Sequence, residues 1–234
     1  AYNVEILHQG VETGIEFTLK TEVNHLDYYY TLDGSEPDTT SLLYKDPFVV
    51  SQGVHIKARA YQKEQPVGTT SSLSFPIHQG YSADVRYLTP YLDYKDAAGP
   101  QALVDYNYAS FTVSDDRWQG FSGDMEVILN FKQPILVSGV KLTNLRYTIS
   151  GIYVPEAHEI YGSNDGNNFE LLTTYSQKEE SLIQGRNKVG ATVSIAPTEV
   201  NYLKIVSKSL GNIPAGHHRA GEPSKMYVDE IVVL

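Results

Sequence analysis

The sequence predicts an all-β chain built of two consecutive sandwiches, on three observations. Apolar residues alternate with polar ones over short runs, no segment of a dozen residues keeps an apolar face at i, i+3, i+4 and i+7, and turn-forming clusters separate the runs. Alternation of period two places one set of side chains on a buried face and the other in water, which is the signature of a half-buried strand. In order, the runs are Ile15, Phe17 and Leu19, then Val54, Ile56, Ala58 and Ala60, then Leu73, Phe75 and Ile77. Residues 125–131, 137–142, 157–161, 189–195, 202–206 and 227–234 follow as six further strands, with Asn164-Asp165-Gly166-Asn167-Asn168 the clearest turn between them. Strands at this spacing, without helical crossovers, imply sandwiches rather than a parallel sheet.

Composition narrows the function classes. The 234 residues hold 18 Lys and Arg against 28 Asp and Glu, a net charge of −10. Such a surface repels phosphate backbones and anionic lipid, so neither nucleic-acid binding nor membrane insertion is expected. No apolar run approaches the roughly 20 residues that span a bilayer, and the first residues carry neither the basic head nor the apolar stretch of a signal peptide. The absence of cysteine excludes disulfides, thiolate metal sites and a cysteine nucleophile. Eighteen Tyr against 7 Phe and 1 Trp favour strands and surfaces where a ring is half apolar and half wet.

Alternation stops at His78-Gln79-Gly80-Tyr81-Ser82, which puts a domain seam between residues 1–80 and 81–234. Charge does not distinguish the two parts: the first holds 5 basic and 10 acidic side chains and the second 13 and 18, so each carries −5. The first length suits a small immunoglobulin-like sandwich and the second a larger jelly roll. In the first part, residues 27–34 read D-Y-Y-Y-T-L-D-G, a run of β-formers closed by the turn dipeptide Asp33-Gly34. The neighbouring acids Asp33, Glu36 and Asp38 lack the ligand spacing of a calcium loop and read as turn residues. The string Y-T-L-D-G-S-E-P, with Tyr44, Pro47 and the I-K-A-R-A strand at 56–60, resembles the chitobiase/β-hexosaminidase C-terminal domain over roughly residues 14–77. That resemblance implies an immunoglobulin-like sandwich acting as a non-catalytic spacer.

The second part carries G-P-Q-A-L-V-D at 99–105, R-W-Q-G-F at 117–121, G-I-Y-V-P at 151–155, G-S-N-D-G at 162–166 and Y-V-D-E-I at 227–231. Together these are similar to a discoidin domain, also called F5/8 type C or carbohydrate-binding module family 32, over roughly residues 87–234. The stretch at 212–221, N-I-P-A-G-H-H-R-A-G, followed by Val228-Asp229-Glu230, resembles the tail of Bacteroidetes glycoside hydrolase family 20 β-N-acetylhexosaminidases. Two positions depart from the discoidin pattern: Tyr106 stands where the family has Gly, and Asn130 where it has Asp. The resemblance implies a galactose-binding-like jelly-roll sandwich.

Candidate sites follow from residue chemistry. Asp105, Asn107 and Ser110 put oxygen donors in one loop, and Asp229-Glu230 adds carboxylates from far along the chain, a set suited to a hard cation that takes six to eight oxygens. The blander reading has Asp105 bonding turn amides and Glu230 pairing with a base. By resemblance the matching positions hold calcium, which assigns ligand roles to Asp105, Asn107, Ser110 and Glu230, with backbone carbonyls of Ala102 and Asp229. Trp118, flanked by Arg117, is either a platform for the apolar side of a pyranose or a ring packed at the sandwich rim. Tyr91, Tyr94, Tyr147 and Tyr153 compete with it, since loops at one end of a sandwich usually carry the site. Arg146, Tyr147, His217 and His218 are placed on the same surface by position; the paired histidines lack a third ligand at zinc spacing.

Catalysis by this chain is not expected. Glycosidic cleavage needs two carboxylates about 5 to 9.5 Å apart, one with a raised pKa, whereas Asp115, Asp116, Asp165, Glu179 and Glu180 fall in turns or polar stretches. No G-x-S-x-G, H-E-x-x-H or phosphate-cradling glycine loop occurs. The resemblances imply two accessory modules of an exported bacterial hexosaminidase, periplasmic or on the cell surface. The second would hold glycans ending in galactose or N-acetylhexosamine, and both would neighbour the catalytic domain of the same chain. Two alternatives stay open: modules that only brace the catalytic domain, and a protein-binding adhesin.

Overall fold

The computed structural model describes residues 2–11, 13–81, 83–95 and 99–234. The chain folds as two compact units, Ala1–Ile77 and His78–Leu234. The seam lies at 77/78, a few residues before the 80/81 read from the sequence, because the His78 ring is buried inside the second unit. No helix among the described residues is long and apolar enough to cross a membrane.

The first unit consists of β1 (Glu5–Val11), β2 (Gly14–Lys20), β3 (Asp27–Thr31), β4 (Leu42–Leu43), β5 (Phe48–Val50), β6 (Val54–Gln62) and β7 (Gln65–Phe75). They form two antiparallel sheets, β1-β2-β5 and β4-β3-β6-β7. The alternating residues point as their pattern demands: Ile15, Phe17, Ile56, Ala58 and Ala60 are fully buried between the sheets, and Leu19 nearly so. Phe17 meets Phe75 edge-on at 5.4 Å, and Tyr30 stacks on Phe48 at 4.5 Å. Asp33 accepts bonds from the amide and hydroxyl of Ser35 at 3.0 and 2.6 Å, beside Gly34 at φ +83°, while Asp38 holds Thr40 and Ser41. Asp33 and Asp38 thus close turns, whereas Glu36 instead pairs with Lys57 and accepts from the Thr70 hydroxyl at 3.0 Å.

Gly14 opens β2 at φ +153°, and a Cβ there would sit 2.3 Å from the Val50 carbonyl oxygen of the paired strand. Gly14→Ala is therefore expected to destabilise the first unit by about 1–3 kcal/mol or more, since strain and backbone collision act together. Urea unfolding reads this directly; an unchanged midpoint would contradict the close approach of β2 and β5.

The second unit contains β8 (Asp84–Tyr87), β9 (Gln119–Ser122), β10 (Met125–Tyr147), β11 (Ala157–Ser163), β12 (Glu170–Ser176), β13 (Arg186–Lys208) and β14 (Lys225–Val233). Its frame is the long antiparallel pair of β10 and β13, which stay in register from Met125↔Ser207 to Tyr147↔Arg186 except at two irregularities, Asn130/Ile135 and Val137/Gly139. The early half of β10 pairs with β8, the late half with β14, and β11 pairs with the late half of β13. The folded-over hairpin thus contributes to both layers of a jelly-roll sandwich. Val127, Leu129, Leu203 and Ile205 from one layer pack with Val140, Leu142, Val193, Val228 and Ile231 from the other. Runs expected as separate strands, 125–131 with 137–142 and 189–195 with 202–206, are joined into two continuous elements. Pro134, which cannot donate to a ladder, falls within the first irregularity.

Local pairings identify one end of this sandwich. Ile152 bridges both Tyr147 and Lys225, and Arg219 donates to the Ser150 carbonyl at 3.1 Å. The 148–152 turn, the start of β13 and the loop of residues 209–224 therefore gather where β10 ends. The C-terminus lies at the opposite end, where Leu234 exchanges backbone bonds with Ser138 and Gly139.

Candidate functional site

Two neighbourhoods of the second unit carry the residues singled out by sequence: a buried acidic cluster and the loop end just described.

The acidic cluster forms where the 102–110 loop meets β14, tied by the Ile231 amide bonding the Leu103 carbonyl at 2.7 Å. Ala102 is buried at the loop's start. Tyr106 stands at φ +62°, the left-handed region that a Gly would enter without cost and that costs other residues about 1–2 kcal/mol. Its ring offsets that cost by packing against His78 and Tyr81 at centroid distances of 4.7 and 5.5 Å, and its hydroxyl accepts from the His78 amide. The loop accordingly keeps a glycine-like turn despite the substitution.

Glu230 is buried, with Oε2 accepting from the Tyr106 amide at 3.2 Å and Oε1 lying 3.1 Å from His78 Nε2. His78 Nδ1 faces the amides of Gly80 and Val233, so the network assigns the ring proton to Nε2, which donates to Glu230. Burial lowers the His78 pKa to about 4, leaving the ring neutral at ordinary pH. Burial also pushes Glu230 well above the usual carboxylate range, and the nearby Asp105 charge raises it further; Asp105 is itself raised by burial, against its bonds from Asn107. Among the described residues neither carboxylate pairs with Lys or Arg. The donor chemistry here, two desolvated carboxylates without a counter-charge, fits a hard cation. No group of three or more His, Cys, Asp or Glu arranged to hold a metal occurs among the described residues, so such an ion would also need backbone and neutral oxygens.

Other members of the expected ligand set have partners. The Asp229 carboxylate accepts from Lys188 Nζ at 2.7 Å and from the Ala109 amide at 2.8 Å. The Ser110 carbonyl accepts from Trp118, its hydroxyl from the Thr112 amide, and its own amide donates to Asp115.

At the loop end the expected sugar residues separate into three groups. Trp118 is completely buried against Ala109, Leu145, Ile152 and Tyr227, with Nε1 donating to the Ser110 carbonyl at 3.0 Å. It offers no face to a ligand, which corrects the platform reading and leaves the ring-at-the-rim alternative. Tyr153 is likewise buried, and Tyr91 packs against the core with its ring 4.9 Å from Tyr87. Arg146 does not line the surface either: it is 5% exposed, pairs with Glu180 and donates to Asn187 Oδ1 at 3.1 Å, pinning residues 177–187 to β10. Arg117 is committed to a two-pronged pair with Asp115, which holds that carboxyl far below its usual range.

Tyr147, His217 and His218 do reach the loop end. The two His rings lie 4.3 Å apart, and His217 Nδ1 accepts from the Arg219 amide. Tyr94, 60% exposed, has Lys225 Nζ 5.3 Å from its ring centre. Two residues that the sequence did not single out complete the surface. Phe111 is 61% exposed, and the Arg186 guanidinium lies 5.6 Å from its ring and 5.0 Å from that of Tyr147. An exposed aromatic ring beside a guanidinium can take the apolar face of a pyranose on one and hydroxyl oxygens on the other. Depressions elsewhere on the unit, such as that lined by Gly162, Asp165, Leu172 and Glu199, contain none of these residues.

Comparison with known proteins gives the following. A family described as Fn3 associated matches residues 17–75, 59 of the 234 residues and the segment where the chitobiase-type motif lies. No curated protein matches the chain. Among solved structures, chitosan-binding module 1 of a chitosanase/glucanase from Paenibacillus sp. IK-5 is 12% identical, over 67% of this chain and 98% of that one, with a TM-score of 0.43. The Clostridium perfringens protein CpGH89CBM32-5, solved with GalNAc-β-1,3-galactose, is 13% identical over 68% and 98%, with a TM-score of 0.45. The C-terminal domain of a chitobiase from Bacteroides fragilis is 14% identical over 64% and 93%, with a TM-score of 0.37.

Proposed function

We propose that the second unit is a glycan-binding accessory module and that sugar docks at the loop end on Phe111, Tyr147 and Arg186. The observation that carries this reading is the exposed Phe111 ring held beside the exposed Arg186, an apolar surface and a donor group in one place. Tyr94 with Lys225, and the His217 and His218 pair, extend the surface. Binding is weak, as expected for an open site, and serves to raise the local concentration of a tethered enzyme at its substrate. Chemistry belongs to a catalytic domain of the parent protein, an exported bacterial β-N-acetylhexosaminidase, and the first unit is a spacer. The motifs at 27–60 and 212–230 support that parentage.

The same reading includes a structural calcium ion. Asp105 and Glu230 supply its charge, and oxygens of Asn107 and Ser110 with the backbone carbonyls of Ala102 and Asp229 complete the set; the ion compensates a desolvated pair that has no Lys or Arg partner among the described residues.

Calorimetric titration with glycans ending in galactose, N-acetylgalactosamine or N-acetylglucosamine tests the glycan reading. Saturable binding in the range of about 0.1–5 mM is expected, with Phe111→Ala weakening it about tenfold, the equivalent of about 1.4 kcal/mol. Silence at millimolar sugar would leave a module that only braces its neighbour.

A further inference from the structure

We infer that the loop-end site selects sugars bearing an anionic group, a carboxylate or sulfate, over their neutral counterparts, and that Arg186 is the selecting residue. This rests on the glycan-binding reading above and names the substrate class of the same site.

The inference comes from how the cations of this region are compensated. Arg117 pairs with Asp115, Arg146 with Glu180, Lys188 with Asp229 and Arg219 with Glu222. Arg186 has no such partner among the described residues, nor does Lys225, whose Nζ lies over the Tyr94 ring, but only Arg186 offers a fork. It is exposed, and among the described residues no carboxylate lies within ion-pair distance of it. Its Nε donates to the Phe111 carbonyl at 3.4 Å, and its two Nη groups donate to no protein acceptor among the described residues. The guanidinium is braced by two rings, Tyr147 at 5.0 Å and Phe111 at 5.6 Å, which restrict the side chain before any ligand arrives.

An arginine held in this way has a free pair of parallel N–H donors, the fork that matches a carboxylate or sulfate. Because the side chain is already restrained, little conformational freedom is lost when the anion binds. The backbone around it is also tied down, since Gly185 exchanges bonds with Thr148 and Arg146 holds Glu180 of the one-turn helix Lys178–Ser181. A neutral hydroxyl would use the same donors with less electrostatic gain. The chain's net charge of −10 gives no general attraction for polyanions, so any preference for acidic sugar must arise locally.

The test uses the full chain and matched ligand pairs that differ only in charge. One pair is a galacturonate oligosaccharide and its methyl ester; the other is N-acetylglucosamine 6-sulfate and N-acetylglucosamine. Calorimetry or ligand-observed NMR at about 50 mM salt should show the charged member of at least one pair binding about tenfold more tightly. The pair responding distinguishes carboxylate from sulfate. In Arg186→Gln, whose melting temperature serves as a folding control, the ratio of charged to neutral affinity should fall to about one. Equal affinities within both pairs, or a preference that survives in Arg186→Gln, would overturn the inference while leaving the glycan reading standing. Binding of none of the four ligands, nor of the galactose and hexosamine glycans, would remove the glycan reading and this inference with it.

Discussion

Chelator added to the purified chain at neutral pH is expected to lower the melting temperature of the second unit by about 5–10 °C relative to the chain in millimolar calcium. That size follows from an ion present at about 100 times its dissociation constant, worth about 2.7 kcal/mol, in a unit of this length where 1 kcal/mol shifts the transition by about 2–4 °C. The cause is the pair of buried carboxylates. Folded without an ion, Asp105 and Glu230 have pKa values above those of the unfolded chain. A raised carboxylate contributes stability that is fully present below the unfolded pKa and is lost as pH rises through the folded value. The calcium-dependent increment should therefore be larger at pH 7 than in acid, because raised carboxylates take up protons earlier than ordinary ones as pH falls and a protonated pair holds no cation. Glu230→Gln should abolish the increment at either pH. Identical melts in calcium and in chelator, by differential scanning calorimetry, would remove the ion from the account and leave His78 and the loop amides as the partners of Glu230.

Trp118→Ala is expected to cost about 3–5 kcal/mol, the range for deleting a fully enclosed large ring. The ring fills the space between Leu145, Ile152 and Tyr227, and its indole nitrogen holds the Ser110 carbonyl, so truncation leaves both a cavity and an unpaired acceptor. Denaturant unfolding measures the loss. The informative comparison is with sugar affinity: Phe111→Ala should weaken binding with little change in stability, and Trp118→Phe should do the reverse. A Trp118→Phe protein of full stability that had lost sugar binding would restore the tryptophan as the platform.

These two residues show what was legible beforehand and what was not. Period-two alternation located Phe17, Ile56 and Phe75 in the core because burial on one face leaves a direct mark on sequence. The continuity of β10 was hidden: Lys132-Gln133-Pro134 reads as a turn between strands, yet the ladder resumes beyond it. For Trp118 the apolar character of an indole suits a core and a sugar platform equally, and only packing separates them. Arg117 likewise has its partner Asp115 two residues away, a pair visible in the sequence whose consequence for sugar contact was missed. Phe111 and Arg186 lie 75 residues apart and follow no local pattern; their meeting depends on the loop around residue 110 packing on the start of β13, where Lys188 holds the Ala109 carbonyl, which the sequence does not display. Asp105 and Glu230 do converge, and the bonds they make, Asp105 with the Asn107 amide and Glu230 with a base, are those of the blander reading; the identity of that base, His78 at the seam, is not visible in the sequence.

The most direct measurement on the central claim is a backbone amide chemical-shift titration of the full chain with N-acetylgalactosamine and galacturonate oligosaccharides. Saturable shifts should cluster on Phe111, Tyr147 and Arg186, with those near Tyr94 and His218 moving less and the first unit silent. Shifts that gather instead around Asp165 and Tyr202 at the opposite end, or none at tens of millimolar sugar, would contradict the assignment of this surface.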